Sequence, residues 1–110
     1  MQKLSLDSLA RQELKRAANT ESGRSAETIV GGHAKVLRQT VIAMMKGVVH
    51  NEHESPGEAT VQVLHGRVRI SAGDSSWEGR TGTVLIVPDA RHKLEALEDA
   101  AILLTVAKPG

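Results

Sequence analysis

The chain has 110 residues, a formal charge of +1, no cysteine, phenylalanine or tyrosine, and a single tryptophan, Trp77. Without cysteine it can build no disulfide framework, thiolate metal site or thiol nucleophile, and one aromatic ring gives no stacking platform for single-stranded nucleic acid. The near-neutral charge lacks the basic excess of a phosphate-neutralising protein, and no apolar run approaches the roughly 20 residues that span a bilayer. With no hydrophobic leader after Met1, these exclusions predict a soluble, cytoplasmic, single-domain protein that binds neither nucleic acid nor membrane. The core must be aliphatic, built from Val, Leu and Ile without aromatic rings. A core that lean predicts that apolar surface is also buried against a second copy, making a homodimer.

Residues 1–27 differ in texture from the rest and are read as an N-terminal helical arm. Leu6, Leu9, Glu13 or Leu14, and Ala17 or Ala18 recur three to four apart, Asp7 or Ser8 can cap the start, and the polar run from Asn19 to Gly23 ends the helix. Arg11, Lys15 and Arg16 fall on its wet side. From Thr28 to the end, residues 28–110, short β-branched runs alternate with turn signals. Strands are predicted at Thr28–Val30, Ala34–Met45, Thr60–Leu64, Arg67–Ala72, Ser76–Glu78, Val84–Val87, His92–Ala96 and Ala100–Val106. A polar loop runs from His50 to Gly57. Eight short strands with no helical pattern between them predict an all-β barrel or sandwich.

Residues 61–70 carry the clearest pattern. Val61 and Val63 share one face opposite Gln62 and Leu64, and after the turn Val68 and Ile70 oppose Arg67 and Arg69. A one-residue slip would turn the arginines inward, so the register is well specified. The spacing predicts a hairpin about His65-Gly66, with glycine supplying the left-handed backbone of a tight turn. A second pairing, of His92–Ala96 with Ala100–Val106, is predicted across Leu97, Glu98 and Asp99.

At this turn the sequence resembles the small single-domain cupins, over roughly residues 34–107. The frame of the first cupin motif is matched by Gly47, His53, the turn at residues 55–57, and Val63-Leu64-His65-Gly66. That of the second is matched by Gly82, the apolar run Val84–Val87, Pro88 and His92, and Leu94–Ala100 resembles the closing segment of many actinobacterial-type small cupins. The resemblance implies a double-stranded β-helix, the jelly-roll β-barrel, with a short N-terminal helix in front. It also implies a pocket inside the barrel that takes a small molecule and one divalent metal ion, Fe, Mn, Zn, Ni or Cu, held by three histidines and a glutamate.

This sequence departs from that ligand set. Aligned on Gly66, the first two histidine positions fall on His53 and Ser55, the glutamate position falls on Ala59, and the second-motif histidine falls on His92 behind Ala90, where glycine is usual. His53 and His92 remain as metal ligands, with His50 or Glu58 as completing groups; Glu58 reaches inward only through a bulge beside Gly57. Two readings follow. In one, a metal on these residues supports oxygenase- or isomerase-type chemistry. In the other, the barrel is a metal-free module for ligand binding, sensing or partner docking. Arg38 is a candidate anion anchor if it points into the barrel, and Gln62 a candidate pocket group. His65 reads as solvated, His33 as a strand-edge residue, Met44 and Met45 as a pocket wall or dimer face, and Trp77 as a cap on the barrel mouth.

Overall fold

The computed structural model describes residues 2–51 and 57–108. One helix, α1 (Leu6–Ala18), precedes nine strands: β1 (Arg24–Val30), β2 (Leu37–Met44), β3 (Val49–Asn51), β4 (Glu58–His65), β5 (Arg67–Ala72), β6 (Ser75–Arg80), β7 (Val84–Ile86), β8 (Lys93–Ala96) and β9 (Ala100–Ala107). They form a five-stranded sheet in the order β1-β2-β9-β4-β7 and a four-stranded sheet in the order β3-β8-β5-β6. Every pairing is antiparallel.

The helix forms where the periodicity places it, but its cap precedes Asp7 and Ser8. Ser5 is the cap residue, and its hydroxyl accepts from the Ser8 N–H at 3.2 Å. Asp7 in the first turn and Lys15 and Arg16 in the last complement the helix dipole. The buried residues are Ala10, Glu13 and Ala17; the two alanines let the helix approach the large sheet closely. Between them Glu13 is fully buried. Its carboxylate accepts from Arg16 Nη1 at 3.0 Å and from the Ser25 hydroxyl at 2.9 Å, so the charge is satisfied at the seam between helix and β1. Strand β1 therefore starts at Arg24, inside the stretch read as helical arm, and pairs along β2 from Arg24↔Met44 to Val30↔Gln39.

The two sheets bring their apolar faces together. Ile42, Met44, Val61, Val63, Ala100 and Ile102 of the large sheet pack against Val68, Ile70, Leu94 and Ala96 of the small one. The alternation in β4 and β5 is as the sequence predicts, with Ala59, Val61, Val63, Val68 and Ile70 buried. The predicted pairing is not found. β4 pairs with β7 and β9, and β5 with β6 and β8, so the chain crosses between sheets at His65-Gly66. The segment 97–99 makes the same crossing: β8 lies in the small sheet and β9 in the large one. The two corners pack on each other. Leu97 and Glu98 N–H groups both donate to the Arg67 carbonyl, at 2.9 and 3.2 Å. Gly66, at φ +78°, sits against Asp99 and Ala100 so closely that a Cβ there would strike the Asp99 carbonyl oxygen. The true tight hairpin joins β5 and β6, with Ala72 opposite Ser75 and Gly73 at φ +58°.

Strand β3, which overlaps the start of the segment read as a polar loop, pairs with β8 and sets His50 opposite Leu94. Its three residues are too few for alternation to be legible. No helix among the described residues is long and apolar enough to cross a membrane.

Candidate functional site

The crossed corners close one end of the sandwich; a cavity of about 150 Å³ lies toward the other. Strand register shows how it is built. Arg38, Val106 and Ala59 form one row across β2, β9 and β4, and the Val87 N–H donates to the Ala59 carbonyl at 3.0 Å, extending the row. Across from it, β3 and β8 contribute His50 and Leu94. His92 enters from the residue just before β8.

Among the described residues the cavity wall is aliphatic apart from three groups. Ile42, Ala59, Val61, Ile70, Val87, Leu94, Ile102 and Leu104 make its lining, and Arg38, His50 and His92 are the polar side chains that reach it. Among the described residues no carboxylate lines it. Arg38 and His50 are half-buried, and His92 is 8% exposed. The local electrostatics therefore lean positive in a setting that discourages an uncompensated charge.

Two details fix how these groups behave. His92 Nδ1 lies 2.9 Å from the Ala90 carbonyl oxygen. A carbonyl can only accept, so Nδ1 carries the proton and donates it, and in the neutral ring Nε2 holds the lone pair. Arg38 makes no ion pair and no side-chain hydrogen bond among the described residues. Its stem is held by Gly31, at φ +126°, where a Cβ would stand 3.2 Å from Arg38 Cγ. The glycine after β1 thus lets the neighbouring chain lie flat against the arginine.

The structure brings Arg38, His50 and His92 to one cavity and leaves other sequence candidates outside it. Glu58 is exposed and precedes the cavity residue Ala59, so strand alternation turns it to the opposite face. Gln62 stands between Leu103 and Val84 on the outer face, opposite the inward Val61 and Val63. His53 and Ser55 lie outside the described residues. His65 is exposed, Met44 is fully buried core, and Trp77 is 48% exposed on β6, opposite the cavity residue Ile70. What the sequence did not reveal is the wall itself: Val87, Leu94 and Leu104 converge only through the pairing of four strands.

The described residues do not by themselves complete a divalent-metal site. Among the described residues no group of three or more His, Asp or Glu could hold an ion. The position aligned with the glutamate ligand faces the cavity, but it is Ala59. Two imidazoles beside a guanidinium offer neither the carboxylate nor the third donor that such ions take.

No protein-family model and no curated protein matches the chain. Solved structures do. A conserved protein of unknown function from Streptococcus pyogenes aligns at 29% identity and TM-score 0.72, over 83% of this chain and 79% of its own. A cupin superfamily protein from Desulfitobacterium hafniense aligns at 17% identity and TM-score 0.78, over 98% and 92%. The Cupin_2 domain of an XRE family transcriptional regulator from Enterobacter cloacae aligns at 9% identity and TM-score 0.68, over 79% and 98%. At these identities the cupin proteins show a shared architecture: the chain has the all-β cupin jelly-roll fold.

Proposed function

We propose that this chain, a small cupin-fold domain, binds a small organic anion in its barrel cavity, with the Arg38 guanidinium as anchor for a carboxylate. The observation that carries the reading is Arg38 itself, a half-buried cation on an aliphatic wall with no counter-ion among the described residues. A planar guanidinium is suited to receive a carboxylate through two parallel hydrogen bonds. The aliphatic wall takes the alkyl part of the ligand and excludes water, which strengthens the charged contact. His50 and His92 supply further polar contacts.

The proposal is one of binding, because the described polar groups suit recognition of an anion. A sensing role is the form of this reading favoured by the similarity to a cupin domain within a transcriptional regulator. The homodimer belongs to the same proposal. Leu37, Val84 and Ile86, exposed by 45, 55 and 77%, lie on the outer face of the large sheet where α1 leaves it uncovered.

Melting of EDTA-treated protein in the presence of small carboxylates and their neutral amides tests the ligand class. A carboxylate at 100 times its Kd adds about 2.7 kcal/mol, which raises the Tm of a domain this size by roughly 10–20 °C. The amide leaves the Tm unchanged, and Arg38→Leu removes the carboxylate effect. Stabilisation by amides equal to that by acids, or by divalent metals alone, would overturn the reading.

A further inference from the structure

The fixed tautomer of His92 bears on which anion fits. We infer that the cavity selects a short aliphatic 2-hydroxy acid over the matching 2-oxo acid, with His92 Nε2 accepting the hydroxyl hydrogen. The inference rests on the carboxylate reading above and adds the chemistry of the neighbouring carbon.

Size sets the first limit. A cavity of about 150 Å³ matches one known to hold a benzene-sized guest. With the carboxylate at the Arg38 end, it accommodates on the order of six to eight non-hydrogen atoms. The wall sets the second. Ile42, Val61, Ile70 and Leu104 present only methyl and methylene groups, so the body of the ligand is a short alkyl chain, straight or branched. A second carboxylate or a sugar would leave polar groups unpaired against that surface.

His92 sets the third limit. With Nδ1–H committed to the Ala90 carbonyl, the neutral ring offers a ligand an acceptor at Nε2 and no donor. A hydroxyl satisfies that acceptor, whereas a keto oxygen would face a second lone pair. The ring is 8% exposed, so water compensates an unsatisfied or repelled nitrogen only in part. Sites of this kind discriminate most strongly against the analogue that cannot complete the hydrogen bond.

The test compares four ligands of nearly one size by calorimetric titration at pH 8: 2-hydroxy-3-methylbutanoate, 3-methylbutanoate, 2-oxo-3-methylbutanoate and 3-methylbutanamide. The hydroxy acid should bind at least fivefold more tightly than 3-methylbutanoate, the oxo acid more weakly than 3-methylbutanoate, and the amide not measurably. In His92→Leu the three acids should bind within about twofold of one another. An oxo acid that binds as tightly as the hydroxy acid would overturn the tautomer inference and leave the carboxylate reading standing. No binding by any of the acids would overturn both. The comparison within the unmodified protein decides the matter even if the variant does not fold.

Discussion

Arg38 and Ala59 stand at opposite ends of one row, two strands apart, with the fully buried Val106 between them. Where the resembled family would place a carboxylate, this chain has a methyl group, and the nearby charge is a cation. On the proposed reading the site favours anions over cations. Two changes separate that account from a merely structural arginine. Arg38→Leu should weaken carboxylate binding by about 10- to 100-fold, the 1.5–3 kcal/mol of hydrogen bonds to a charged group, while leaving the Tm unchanged or raised. Ala59→Glu should place a counter-ion inside the cavity, raise the Tm and abolish carboxylate binding, read by melting and calorimetry on the same preparation. A lowered Tm with binding retained would show that the two residues do not share the cavity as described. Residue identity made part of this legible: the missing glutamate at Ala59 follows from the resemblance, and Arg38 is a polar interruption in an apolar strand. The His92 tautomer was not legible, because it depends on where the Ala90 carbonyl points.

Strand alternation was read correctly at Val61, Val63, Val68 and Ile70, and still it did not yield the pairing. Two strands joined by a tight turn bury the same alternate residues whether they lie side by side in one sheet or face each other across a core. Period-two patterning records only which face is inside. The distinction lies in the corner. Gly66 meets Asp99 and Ala100 because two sheet-crossing segments stack there, a contact between residues 33 positions apart. Gly66→Ala combines a left-handed backbone with a clash against main chain that cannot move aside. The variant should lose more than about 2 kcal/mol of stability, visible as a fall in the urea midpoint at unchanged slope. A loss below about 1 kcal/mol, the cost of the backbone angle alone, would mean the corners are not packed as found. The helix shows the same division. Its existence and extent follow from local periodicity and capping, whereas the buried Glu13 is explained only by Ser25 on the strand it docks against.

As a whole molecule the protein is two sheets sealed at one end by crossed corners and hollow toward the other, with a helix on one outer face. The lean aliphatic core has an external counterpart in Leu37, Val84 and Ile86. Light scattering at tens of micromolar should give twice the chain mass, and Ile86→Lys should return it to the monomer; a monomer mass for the unmodified protein would dismiss the dimer. Fold class was accessible from composition and turn spacing, since no helical pattern follows residue 28. The cavity was not, since its wall is assembled from β2, β3, β4, β5, β8 and β9 and the segment between β7 and β8. The central claim, an anion site on a cupin frame, is tested most directly by titrating 3-methylbutanoate into EDTA-treated protein in a calorimeter. The account predicts saturable, one-to-one binding that survives metal removal and is lost in Arg38→Leu. Binding that vanishes with EDTA and returns with a divalent metal, or that is unchanged in Arg38→Leu, would contradict it.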